Sequence, residues 1–114
     1  MSAFSAAELA YLQGEASLGR LATVGRNGLP HVTPVGWKVV PEAGVIEIGG
    51  RNFAATKKFR DVVHTGVAAI VIDDVRPPWR PRGVEVRGRA EAIHEPEPKI
   101  RIFADRVISW GLDG

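Results

Sequence analysis

The sequence predicts a mainly β, antiparallel fold with two short helices, its strands short enough to close into a barrel. Three observations carry this. Strand-like runs recur at short intervals, separated by Gly, Pro and Asn. The first three are joined by turns too short for a parallel crossover. Only two segments carry helical signals.

The first helical segment, residues 5–15, opens with Ser5-Ala6-Ala7-Glu8. This is the spacing in which a cap hydroxyl and a carboxylate three residues on satisfy each other's backbone amides. Leu18–Gly25 then reads as a strand and Pro30–Val40 as its hairpin partner, linked through Asn27-Gly28. Pro34 cannot donate to a ladder, so this partner is an edge strand or is bulged there. After the turn 41–44, Val45–Ile48 forms a third strand that ends at Gly49-Gly50.

From residue 53 to 64 the period changes. Ala55, Phe59 and Val62 or Val63 share a helical stripe, with Asn52 or Thr56 as the cap. Val67–Ile72 is continuously apolar, the pattern of a strand buried on both faces. Residues 73–82 read as a Pro-rich loop with Trp79 at its centre. From Gly83 the chain alternates, with Val84, Val86, Gly88, Ala90 and Ala92 on one face and Glu85, Arg87, Arg89 and Glu91 on the other. Glu95-Pro96-Glu97-Pro98 ends that run. Ile100–Phe103 and Val107–Trp110 are the last strands, for six or seven in all.

The chain has 114 residues, which predicts one domain over residues 1–114. It has no cysteine, so thiol nucleophiles, disulfides and cysteine-ligated metals are excluded. His31, His64 and His94 lack the i, i+4 spacing of a helical metal site, so no metal is expected. No serine sits in a nucleophile elbow. The residues name no catalytic acid or base. No apolar run has membrane-spanning length, and residues 1–13 lack the pattern of a signal peptide. A cytoplasmic protein without a membrane partner is the expectation.

The net charge of +2 is too small to imply nucleic acid. The three Trp, one Tyr and four Phe are not interleaved with cations along strands, so no nucleic-acid partner is expected. The surplus positive charge is carried by Arg, which grips phosphate and carboxylate bidentately. Arg51, Thr56, Lys57, Lys58 and Arg60 gather at the start of the second helix. A helix start already carries free N–H groups and partial positive charge. A folding-only design would put acids there, so cations point to an anion seat. Trp79 and Arg80 lie in a stiff loop suited to stacking and anion contacts. Thr33-Pro34-Val35-Gly36-Trp37 breaks regular pairing and lets a ligand approach the backbone. A phosphate seat, an aromatic wall and a backbone rim without acid–base equipment suit a protein whose chemistry comes from a cofactor.

Several segments resemble the flavin and deazaflavin split-barrel superfamily, also called pyridoxamine 5′-phosphate oxidase-like. They are Gly19–Gly25, Asn27–Val35, Ile48–Arg51, Thr56–Val62, Trp79–Ala90 and Arg106–Gly111. Within it the chain looks most like the branch of probable coenzyme F420-dependent oxidoreductases. The resemblance implies a homodimer of antiparallel split β-barrels, with a cofactor groove at each side of the interface. It implies that Lys58, Lys57, Thr56 and Arg60 hold the cofactor phosphate, with Arg51 nearby. Thr33, Pro34 and Val35 would line the ring through backbone groups. Trp79 and Arg80 would come from the partner subunit or the groove rim. The implied activity is hydride transfer from coenzyme F420 to a small organic substrate, with FMN as the alternative cofactor and a non-catalytic cofactor-binding barrel as the alternative role. The FMN oxidases carry an Arg where this chain has Thr33 and a basic terminal segment where it has none, which favours the deazaflavin.

Overall fold

The computed structural model describes residues 3–14 and 18–112. The element order is α1 (Ala6–Gln13), β1 (Gly19–Val24), β2 (Pro30–Val35), β3 (Lys38–Val40), β4 (Val45–Gly49), α2 (Lys57–Thr65), β5 (Val67–Arg76), β6 (Arg80–Ile93), β7 (Lys99–Phe103) and β8 (Arg106–Trp110). Every strand pair is antiparallel. The path is β2-β1-β5-β6-β7-β4-β3, with β8 also on β6. Its two ends, β2 and β3, are separated in the chain only by Gly36 and Trp37, so the sheet curls back on itself and the barrel is split between them.

β6 holds the two halves together. Its first part pairs with β5 and β8, while Ala90–Ile93 pairs with β7. Gly88 sits just before this change of partner, where a Cβ would collide with the Phe103 carbonyl. The core is aliphatic, built from Leu21, Ile46, Ile48, Ile70, Ile72, Val84, Val86, Ile100 and Ile102, all buried. Each helix closes one end. α1 contributes Tyr11 and Leu12, and α2 contributes Phe59 and Val62. The capping box of α1 is formed. Ser5 Oγ accepts from the Glu8 amide at 3.1 Å, and the Ser5 amide donates to Glu8 Oε1 at 2.8 Å. Glu15, the last residue of the expected first helix, lies outside the described residues.

Four expectations need correction. The run 30–40 is not one strand. It breaks at Gly36-Trp37 and its halves join opposite ends of the sheet, so the described residues form eight strands. Residues 73–82 are not a loop but the end of a long hairpin, with Arg76 opposite Arg80 and Val75 opposite Pro81. Pro81 is tolerated because this ribbon overhangs both β1 and β8, so its missing N–H leaves no neighbour unpaired. The segment 53–64 is a short 3-10 turn, Phe53–Ala55, followed by α2, so Ala55 precedes the helix. Finally, β5 is buried on one face only. Ala68, Ile70 and Ile72 point inward, whereas Ala69 and Val71 are half-exposed and Val67 is 45% exposed.

Candidate anion seat and ring cleft

Thr56 is the cap of α2. Its hydroxyl accepts from the Phe59 amide at 3.3 Å and donates to the Phe53 carbonyl at 2.7 Å. No acid occupies the first turn. The apolar side of the helix sits on the barrel through Phe59, which meets Phe53 and His94 edge to face. Thr65 adds a second tether, donating to the Val24 carbonyl at 2.9 Å.

The two adjacent lysines have different surroundings. Lys57 donates from Nζ to Asp61 Oδ1 at 2.9 Å, one helical turn on. Asp61 is 4% exposed and accepts on its other oxygen from the wholly buried Thr23 hydroxyl at 2.8 Å. Gly25 leaves room for this knot: a Cβ there would lie 3.0 Å from Asp61 Oδ1 and 3.2 Å from Lys57 Nζ. Burial pushes the Asp61 carboxyl up, but the hydrogen bonds from Lys57 and Thr23 outweigh it and hold it below its ordinary 3.8. Lys58, by contrast, makes no ion pair among the described residues and rests its ammonium 5.4 Å from the Phe53 ring centroid. Arg60 donates to the Ala55 carbonyl at 2.8 Å, leaving further guanidinium donors for a ligand. Arg51 is exposed on the turn after β4.

Gly50 links this seat to a cleft of about 440 Å³, which it lines: a Cβ there would lie 3.6 Å from the same Phe53 ring on which Lys58 rests. Gly36, Trp37, Ile48, Gly49 and Gly50 form the cleft's flat sides. Its charged edge is Glu47, set among Arg101 at 3.0 Å, Lys99 at 3.6 Å and Lys38 at 3.9 Å. Trp37 and this Glu47 cluster are absent from the site residues expected from the sequence. The Gly-Trp pair beside Pro34 is the one local signal that could have found them.

Strand alternation separates the other expected residues. Val35 is buried in the core, Thr33 is half-buried on the same inner face, and Pro34 points outward. Among the described residues β2 pairs only with β1, so its other edge offers unpaired backbone groups. Trp79 and Arg80 lie at the far end of the β5–β6 hairpin. β5 begins directly after α2 and runs ten residues, about 30 Å at strand rise, so one protomer does not bring them to the α2 seat.

Four carboxyls are held below their ordinary values. Burial raises Glu47, but its three cations outweigh that effect. Asp61 is held by Lys57 and Thr23, and Asp74 by hydrogen bonds from Arg82 and Tyr11. The side chain and amide of Arg89 bring Asp105 down to about 2. Each folded pKa lies below its unfolded value, so the stability these groups add is complete above 3.8 for Asp and 4.5 for Glu. It is lost as pH falls through the folded values. Thermal melts should therefore be nearly flat from neutrality to about pH 5 and drop steeply toward about pH 2.

Comparison with known proteins finds relatives along nearly the whole chain. A model of the pyridoxamine 5′-phosphate oxidase family matches residues 5–111. A 5a,11a-dehydrotetracycline/5a,11a-dehydrooxytetracycline reductase of Streptomyces rimosus is 38% identical over 122 aligned positions, covering 97% of this chain and 85% of that protein. The conserved hypothetical protein Rv2991 of Mycobacterium tuberculosis superposes with a TM-score of 0.78 at 24% identity, over 95% of this chain and 85% of its own. A solved structure described as an F420 reductase superposes with a TM-score of 0.65 at 18% identity, over 87% of this chain and 94% of its own. Resting on the family match from residue 5 to 111 and on the split barrel itself, the chain belongs to the pyridoxamine 5′-phosphate oxidase-like family.

Proposed function

We propose that the protein is an oxidoreductase that binds coenzyme F420 in a groove completed by a second copy of the chain and reduces a small organic substrate. The observation that carries this reading is the start of α2. It has cations and no acid in its first turn, and Lys58 has no internal ion pair among the described residues. That donor set fits a phosphodiester. Lys58 and Arg51 would hold it, with Arg60 and the Thr56-capped amides behind them. Lys57 keeps its neighbour's helix turn in place. The β2 edge near Thr33, Pro34 and Val35 would offer backbone groups to the ring, and Trp37 would keep water off it. When bound, the deazaflavin supplies a hydride. The similarity to a dehydrotetracycline reductase supports the reductive direction and a polycyclic, oxygenated substrate.

A second copy is supported by the outer face of β1, β2, β5, β6 and β8. Register places Val32, Ala22 and Ala69 side by side with Arg87 next to them, and in the adjoining row sets Val71 between Arg20 and Glu85, with Ile108 beyond Glu85. Val32 is 65% exposed in the single chain. The charges among these apolar residues are paired, Arg20 with Asp73 at 3.0 Å and Arg87 with Glu85 at 3.4 Å. A face on which small apolar residues alternate with charges of both signs suits a two-fold copy of itself, each sign meeting its opposite. In such a dimer the partner's Trp79 and Arg80 would stand over the groove that one protomer leaves open.

The experiment is a titration of purified protein with coenzyme F420 and with FMN, followed by turnover tests with whichever binds. Lys58→Ala should weaken binding by about 1–3 kcal/mol, the range for a charge-assisted hydrogen bond. Tighter binding of FMN would select the flavin. Unchanged affinity in Lys58→Ala would remove the α2 seat from the site.

A further inference from the structure

We propose that His31 is the proton-linked partner of the Lys57–Asp61 pair: when an oxyanion binds at the start of α2, the imidazole takes up a proton, shares the Asp61 carboxylate and releases the Lys57 ammonium toward the anion. This deepens the α2 seat proposed above and rests on it, but not on which ring follows the phosphate. His31 is half-buried on the inner face of β2, with Thr33 and Val35. Its Nδ1 is the one buried side-chain nitrogen or oxygen without a hydrogen-bond partner among the described residues. Such an atom costs stability, so folding alone does not favour it.

Its surroundings give that nitrogen a use. Register sets His31 opposite Thr23, and Thr23 opposite Ala68. The Thr23 hydroxyl donates to one oxygen of Asp61 at 2.8 Å, and Lys57 holds the other at 2.9 Å. A carboxylate accepts at about four positions and Asp61 fills two with these partners, so a third donor displaces neither. The imidazole is close enough for a charge on it to help keep Asp61 ionised. Among the described residues, the charged groups that bear on the imidazole are Asp61 and Lys57 on α2. Across from it β1 places the uncharged Thr23, and Arg26 of the β1–β2 turn is exposed to solvent. While Lys57 neutralises Asp61, a second positive charge beside the pair is disfavoured. An incoming oxyanion reverses this, because it adds negative charge next to Lys57, whose side chain is 50% exposed and has N–H donors to spare. An imidazolium at His31 then keeps the buried carboxylate paired as Lys57 turns to the anion. The anion therefore binds with uptake of a proton, and its affinity rises as pH falls.

The test uses sulfate, whose charge is constant across the range in which histidine titrates, about pH 5 to 8. The full chain is titrated near both ends of that range, followed by two-dimensional NMR of backbone amides and histidine ring nitrogens. The expected result is saturation with shifts at the Thr56, Lys57 and Lys58 amides, roughly five- to tenfold tighter at the acid end. Near neutrality, sulfate should raise the protonated fraction of the His31 ring and leave that of His64, in the last turn of α2, nearly unchanged. His31→Gln should bind with the weak affinity of the alkaline end at both pH values, whereas His64→Gln keeps the pH dependence. If His31→Gln does not fold, the ring-nitrogen measurement on the native chain decides the case. No saturation at either pH would reject the α2 seat itself and this coupling with it. Equal affinity at both ends, or a pH dependence that survives in His31→Gln, would keep the seat and overturn the coupling. A protein that binds sulfate with the expected coupling but neither F420 nor FMN would retain the proposal and reject the cofactor reading.

Discussion

Lys57→Met is expected to cost the fold about 1–3 kcal/mol, because it strips a charged donor from a buried carboxylate although Lys57 itself is half exposed, while Lys58→Met costs under about 1 kcal/mol. The two residues are neighbours in sequence and carry the same charge, yet their tasks differ. Lys57 is the only cation hydrogen-bonded to the Asp61 carboxylate among the described residues, and that carboxylate is 4% exposed. Without Lys57, Asp61 keeps one hydrogen bond from Thr23 and loses its counter-charge. Burial, already the largest influence on this group and an upward one, then prevails. The sign of its pH dependence should reverse. In the native protein Asp61 stabilises above its unfolded pKa and that contribution is lost as pH falls. In Lys57→Met the folded pKa is raised, so the variant recovers stability as pH falls through it. Urea unfolding of both variants at pH 7 and about pH 5 checks this. Equal destabilisation by the two substitutions would contradict it. Cofactor titration should rank them the other way, with Lys58 the more damaging loss once the Lys57 protein is studied well below its melting temperature.

This contrast shows where the sequence is legible. The capping box Ser5–Glu8, the Thr56 cap and the alternation of β6 are local patterns, and the structure contains all three. The cluster at the start of α2 is equally visible, because a run of cations at a helix start defies local electrostatics. What separates Lys57 from Lys58 is not local. Thr23 and Asp61 lie 38 residues apart and meet only when α2 packs on β1. The hairpin end was hidden for a different reason. Three prolines within residues 77–81 read as loop, and only the overhang past β1 and β8 makes strand possible there. The ring cleft depends on the break at Gly36-Trp37, after which β3 leaves β2 and pairs with β4, so Trp37 comes to line a cleft with Gly49 and Gly50.

Ala69→Arg is expected to abolish association of the chain with itself and, through that, its binding of the ring cofactor. The apolar run Val67–Ile72 predicts burial on both faces, yet in the single chain Ala69 and Val71 remain half-exposed. Something must cover them for that pattern to be useful, since an outer row of small and branched apolar residues serves neither solubility nor the ladder. Ala69 stands opposite Ala22 on one side and Arg87 on the other, so the Ala22–Ala69 pair is a low strip beside a paired charge, where another sheet can approach. An arginine there would place a charge in the desolvated centre of the contact, and a second one from the symmetric copy would face it. The inner face is untouched, so the barrel should still fold and melt cooperatively. Light scattering should read a dimer for the native chain and a monomer for Ala69→Arg, with Ala69→Val as the apolar control that stays dimeric. Because Trp79 and Arg80 lie about 30 Å along β5 from the α2 end of their own protomer, only a neighbour can bring them over the seat. The monomer should therefore lose most of its affinity for F420 or FMN while keeping Lys58 in place. A folded monomer that bound the cofactor as tightly as the native protein would mean that one chain suffices, and the partner's hairpin would have no part in the site.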